Sequence, residues 1–247
     1  MPDYETEHVS EQMPGADEAT RFERTLDART AAIVDGCTRC GKCVAACPTP
    51  KIDGIDAAPE AVAAGVIEIL AAGAGDKQSY PWSRRWAEIC CGSGFCIEAC
   101  TDGINPRFML SMARRAMTRS EPADARREAG KAAFKAMSRG VKVLSRLQLP
   151  PELMARLSPS SRAPKARGAA APDIVFYTGC NLLKTAHIGL LCLDVLDRLD
   201  VHYEVHGGPA NCCGILQQRA GDDANAGRQL MQTAKRYAAT GAAEVVS

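Results

Sequence analysis

Aromatic residues are scarce, with two Trp, five Tyr and five Phe among 247 residues. A long apolar run is missing too. The most hydrophobic stretch, residues 57–75, is rich in glycine and broken by Glu60 and Glu68, so no transmembrane helix is expected. Neither charge sign dominates: Lys and Arg total 30, Asp and Glu 29. That balance excludes binding to polyanions by overall charge. No GxGxxG follows a strand, so the residues expected for flavin or nicotinamide binding are missing. Nothing resembles a substrate pocket with paired acid–base residues. No secretory signal is expected at the opening, because the first thirty residues carry eight acidic side chains and no apolar run.

Against these absences stand 12 cysteines. Disulfide frameworks belong to short secreted chains, whereas these cysteines are clustered. Metal ligation and a reducing, cytoplasmic location are therefore expected.

The chain divides into four zones. Residues 1–20 form an acidic tail. Residues 21–120 hold eight cysteines in two groups, preceded by a helix over 18–34 and separated by one over 59–72. Residues 121–172 make a basic helical segment and a linker. From 107 to 168 there are fifteen Lys and Arg against Glu121, Asp124, Glu128 and Glu152, with amphipathic helices over 108–117 and 134–147. Residues 158–172, rich in Ser, Pro, Ala and Arg, read as the linker. Without interleaved aromatics, the basic zone suits a solvated face or a dock for an acidic partner better than nucleic acid. In residues 173–247, strands over 174–177, 201–205 and from 244 alternate with helices over 188–199 and 217–240. That β–α–β–α–β order predicts a parallel sheet.

The run Cys37-x2-Cys40-x2-Cys43-x3-Cys47-Pro48 is the strongest signal. A tight loop supplies three thiolates to one cubane cluster. The fourth cysteine, beyond a short turn and followed by proline, points to the other cluster of a two-cluster ferredoxin. Zinc sites instead split into two distant CxxC pairs. The second group is less regular. Cys90, Cys96 and Cys100 keep the spacing, Ser93 stands where the second cysteine is due, and Cys91 is extra. Serine is a poorer ligand than thiolate, and Cys91 lies in a loop loosened by Gly92 and Gly94.

This pair of runs, with Gly103 to Pro106 just after, resembles the helical ferredoxin domain of succinate dehydrogenase and fumarate reductase iron–sulfur subunits. It is equally similar to the C subunit of heterodisulfide reductases. The resemblance implies swapped ligation: Cys37, Cys40, Cys43 and Cys100 on a [4Fe–4S] cluster, and Cys47, Cys90 and Cys96 on a second. The second cluster is [3Fe–4S] if the position of Ser93 stays vacant, or [4Fe–4S] if Cys91 completes it.

Cys180 and the run Cys212-Cys213-Gly214 form a third constellation. With Tyr177 and Asn211 they resemble the first half of the CCG domain of heterodisulfide reductase B and D subunits, glycerol-3-phosphate dehydrogenase C subunits and lactate-utilisation proteins. The family pattern continues with a CxxC that would fall just past Ser247. The missing ligands could lie further along a longer chain or on a partner, or the module could keep only its fold. A further cluster at Cys180, Cys212 and Cys213 is open on the first two. The expected fold is thus an all-α ferredoxin domain followed by a partial α/β CCG-type module.

The whole is similar to a heterodisulfide reductase C subunit fused to the start of a B-type module, as in D-type subunits. A subunit of the bacterial sulfur-oxidising heterodisulfide reductase-like complex would fit. That resemblance implies electron transfer between a partner flavoprotein and CCG-containing redox subunits. The alternatives are a thiol–disulfide oxidoreductase with a catalytic CCG site, and a docking scaffold. Cys192 is expected in a helix core, His187, His202 and His206 as ordinary surface or satisfied residues, and Trp82 and Trp86 as shields for the second cysteine run.

Overall fold

The computed structural model describes residues 18–73, 75–76, 78–158, 171–208 and 211–247. Most of the acidic tail and of the linker lies outside these. Helix α1 (Glu18–Gly36) leads into the first cysteines. Two short helices, α2 (Lys42–Ala45) and α3 (Pro48–Asp53), carry the rest of that run. Then come α4 (Pro59–Ala72) and α5 (Pro81–Glu88), short α6 (Phe95–Glu98) in the second cysteine run, and α7 (Pro106–Arg119). Proline occupies the first turn of α3, α4, α5 and α7, where its missing N–H costs nothing.

Helices α4, α5 and α7 close the first core. Val62, Val66, Ile67, Ile69, Trp86, Met109 and Leu110 are nearly inaccessible, and Ile33 and Val44 join them. The α4–α5 approach requires Gly65, since a Cβ there would run into Ser83 Oγ, which donates 2.8 Å to the Val62 carbonyl. Cys37, Cys43, Cys47 and Cys90 pack against the rim of this core.

The basic zone continues as one long helix, α8 (Ala123–Gln148), and short α9 (Pro151–Leu157). Both pack on the C-terminal α/β module. Leu157 is fully buried among Phe176, Leu183, Ala186 and Leu193, forming a second core. Cys192 lies against it, half-buried as a packing residue should be.

That module alternates β1 (Ile174–Thr178), α10 (Cys180–Lys184), α11 (Ala186–Arg198), β2 (Tyr203–Gly207), α12 (Ile215–Arg219), α13 (Asp223–Ala238) and β3 (Glu244–Val246). All pairings are parallel, in the order β2-β1-β3, with Ile174 opposite Tyr203 and Glu244. The expected parallel sheet is present, with two corrections. The second strand starts at Tyr203, not 201, because Asp200 turns left-handed (φ 53°) and the Val201 N–H is still occupied by the Leu196 carbonyl. The final helix is two, because Gly221 adopts φ 77° and the Asp222 side chain caps a new start by accepting from Asn225 N–H.

The two halves share a buried ionic joint. Arg115 of α7 donates from Nε to Asp223 of α13 (2.8 Å) and from Nη1 to Asp27 of α1 (2.6 Å). Both Arg115 and Asp223 side chains are about 95% buried, being 5% and 4% exposed. Arg119 flanks them. Arg126 of α8 donates to the Gly221 carbonyl (2.8 Å), and Gly130 lies against Gln217 of α12.

Candidate metal centre

The two cysteine runs fold as copies of one another. In the first, Arg39 and Gly41 adopt positive φ (61° and 72°), α2 begins one residue later, and Ala46 closes it. In the second, Gly92 and Gly94 adopt φ of 78° and 91°, α6 begins one residue later, and Ala99 closes it. This superposes Cys43 on Cys96, Cys47 on Cys100, and Cys40 on Ser93. Cys91 corresponds to Thr38, not to a cysteine. Gly41 cannot be replaced without movement: its Cβ would stand 2.6 Å from the backbone of Pro59 and Glu60 at the start of α4.

Side chains sew the loops together. Asp102, just past Cys100, accepts from Thr38 N–H (3.1 Å) and Thr38 Oγ1 (2.7 Å). Lys42 Nζ reaches Thr101 Oγ1 (3.3 Å). The end of the second run is thus held on the start of the first, and α2 packs against α6.

The thiols respond to each other in two sets. Burial pushes the Cys43 thiol up to about 12, with Cys37, Cys100 and, least, Cys96 adding to the rise against the Val44 N–H. Cys37 is also raised, by burial first, then by Asp102 and Cys100, against the Arg39 N–H. Cys96 is raised by burial and then by Cys47 and Cys90, with its own backbone N–H and the Arg107 charge opposing. The larger influences thus group Cys37, Cys43 and Cys100 on one side and Cys47, Cys90 and Cys96 on the other, with Cys43 also feeling Cys96 across the two loops. Cys40 is exposed at the edge of the first loop, as Ser93 is in the second.

Crowded buried thiolates repel, and a cationic core turns that repulsion into binding. Among the described residues, no three Cys, His, Asp or Glu side chains converge as they would on a single metal ion. The donor set, all thiols on two paired loops, is of the kind that holds iron–sulfur clusters.

The third constellation lies at the carboxyl end of the sheet, where parallel α/β sheets place ligands. Cys180 follows β1, and Cys212 and Cys213 follow β2. Gly214 begins α12 at φ 77°, and its Cβ would stand 2.6 Å from the Ala226 carbonyl oxygen. Cys213 sits well below the ordinary thiol range: a hydrogen bond from Cys212 does most, with help from Ile215 N–H and the Tyr177 hydroxyl against burial. Cys212 is correspondingly raised, first by that same bond. Burial and the nearby Cys213 raise Tyr177, and burial pushes Tyr237 up to about 12. The three thiols and Tyr177 line a cavity of about 300 Å³, closed by Phe134, Met137 and Val141 of α8.

The place of α8 in this site is what the sequence does not reveal, since residues 134–147 read as an amphipathic helix of a basic segment unconnected with the cysteines. Its signal is Phe134, Met137 and Val141 at helical spacing. Trp86 is buried in the core against whose rim Cys90 packs, whereas Trp82 is 41% exposed. His187 and His202 are exposed, while His206 is buried against Glu204 (2.9 Å) and the Tyr237 ring.

Residues 36–105 match the protein family described as a 4Fe-4S dicluster domain. Neither the curated proteins nor the solved structures yield a match.

Proposed function

We propose that this chain is an iron–sulfur electron-transfer subunit of a heterodisulfide reductase-like redox complex. It passes electrons between a partner flavoprotein and a CCG-type thiol site. The observation that carries this reading is the interleaving of the cysteines within the dicluster region: Cys37, Cys43 and Cys100 against Cys47, Cys90 and Cys96. Cys37, Cys40, Cys43 and Cys100 hold the first cluster, a [4Fe–4S]. Cys47, Cys90 and Cys96 hold the second. Because Ser93 takes the place of Cys40 and Cys91 that of Thr38, the second set lacks a fourth thiolate and suits [3Fe–4S]. Clusters so bound supply one-electron redox chemistry.

The chain's own residues do the rest. Core side chains keep one flank of each set dry, which raises the weight of nearby charges on its potential. The loops hold the thiols in place through Asp102, Thr38 and Gly41. Along α8, Arg127, Lys131, Lys135, Arg139, Lys142 and Arg146 are exposed at spacings of one turn. This stripe suits docking of an acidic redox partner. A reducing cytoplasmic compartment suits twelve unpaired thiols.

The test is Cys43→Ser in the assembled complex. Lost electron transfer with assembly intact supports the relay, and full activity refutes it. A second reading, a thiol–disulfide active site at Cys180, Cys212 and Cys213, is favoured by the cavity that those thiols line. A Cys212→Ser, Cys213→Ser double variant that keeps full activity removes that reading.

A further inference from the structure

One face of α7 lies between the second thiol set and the Cys212–Cys213 site. Arg107, Ser111 and Arg114 recur there at helical spacing. At one end, the Arg107 guanidinium lies over the second loop: a Cβ on Gly92 would stand 3.5 Å from its Nη2 and 3.8 Å from its Nε. In the middle, Ser111 Oγ accepts from Gln218 Nε2 of α12 (3.4 Å), three residues past the helix start that follows Cys213. At the other end, Arg114 is half-buried, and its Nε is buried with no hydrogen-bond acceptor.

Arg114 is the unusual group. A buried guanidinium nitrogen without an acceptor is costly, and a second cation nearby makes it worse. Burial and the neighbouring Arg219 both disfavour the Arg114 charge, and the group that favours it is Cys90. Among the described residues, neither Arg107 nor Arg114 forms an ion pair with a carboxylate. The arginines that build the inter-half joint, Arg115 and Arg119, do. The first thiol set has charges of both signs around it, with Arg39 bonded to the Cys37 carbonyl and Lys42 to Thr101 beside Cys100. Asp102 is fixed beside it, and Arg39 is shared with Glu68 (3.9 Å).

We propose that Arg107 and Arg114 are positioning residues that hold positive charge against the Cys47, Cys90 and Cys96 set. They raise the reduction potential of the cluster bound there. Reduction adds one negative charge to a cluster, so an unpaired cation beside it favours the reduced form. Arg114, the less exposed, contributes more; Arg107 is screened by water. The inference rests on the two-cluster relay proposed above.

The experiment is a potentiometric titration of the full chain, purified without oxygen, followed by electron paramagnetic resonance. Cys43→Ser and Cys96→Ser assign the signals of the first and second sets. In Arg114→Gln the second set's reduction equilibrium falls by about tenfold, which is about 59 mV for a one-electron couple. Arg107→Gln lowers it less, Arg114→Lys restores most of it, and the first set is unmoved. Arg107 is exposed, so its variant gives the answer even if Arg114→Gln fails to fold. Unchanged potentials in the glutamine variants, or equal shifts of both sets, overturn the inference while the relay stands. A wild-type chain that binds no clusters overturns both.

Discussion

Replace Arg115 with alanine and Asp223 loses its closest cation. Its carboxylate is 4% exposed and sits 2.8 Å from Arg115 Nε, with Arg119 Nε behind at 3.4 Å. Breaking a buried pair by removing one partner costs about 3–5 kcal/mol, because a charge is left stranded. Arg119 is 39% exposed and already in place, so it offsets about 1 kcal/mol of that. The expected loss is about 2–4 kcal/mol, a drop in melting temperature of about 6–12 °C for a chain of this size. Arg115 ties α7 to α1 and α13, so the loss should fall on the joint between the halves. Trp86 fluorescence reports the helical half, and circular dichroism reports the whole. In Arg115→Ala the two transitions separate, the fluorescence change persisting after the first loss of ellipticity. Arg115→Met keeps the volume and removes the charge, so it should cost about as much, whereas adding Asp223→Leu should recover most of it. An Arg115→Met variant within about 0.5 kcal/mol of wild type, a change typical of an inert surface substitution, refutes the reasoning.

Three further expectations are checked separately. Gly214→Ala forces a Cβ to 2.6 Å from the Ala226 carbonyl oxygen at φ 77°, so it should cost about 1–3 kcal/mol in thermal unfolding. Gly54→Ala, also at positive φ but with open space around it, should cost less. Ser93→Cys supplies the missing fourth thiolate, which raises the iron count by one per chain and abolishes the near-isotropic three-iron signal on spectroscopy. Asp53 accepts from Arg85 at 2.7 and 2.6 Å, and that hydrogen bonding holds its carboxyl below the ordinary value. A depressed carboxyl stabilises the fold above its unfolded pKa and stops doing so as pH falls through its folded pKa. The melting-temperature gap between wild type and Asp53→Asn should therefore be constant at neutral pH and close only in strong acid.

Periodicity and punctuation made most of the fold legible. Helix α4 shows itself through Val62, Val66, Ile69 and Leu70 behind Pro59, and β1 through an apolar run that stops at Thr178. Pro48, Pro81 and Pro151 also mark helix starts, but α3, α5 and α9 are too short for an apolar period to show. Gly221 carries the break between α12 and α13, because only its φ of 77° distinguishes a turn from a tolerated helical glycine. The cysteine spacing exposes the first loop directly. The match of Ser93 to Cys40 is visible as spacing, but that of Cys91 to Thr38 needs the backbone angles of residues 39 and 92. The hidden part is long-range: Arg115 meeting Asp27 and Asp223, and Phe134 of α8 closing over Cys180 and Cys213. Such contacts arise from how helices cross, which no local pattern encodes.

In the proposed relay, two interleaved thiol sets each hold a cluster. The direct test counts iron and sulfide in the anaerobically purified chain, beside Cys43→Ser and Cys96→Ser, with spectra of both oxidation states. Two clusters so bound give about seven irons per chain, a three-iron signal that disappears with Cys96→Ser, and a reducible cubane signal that disappears with Cys43→Ser. A chain holding about one or two tightly bound zinc ions, and no sulfide, would contradict it.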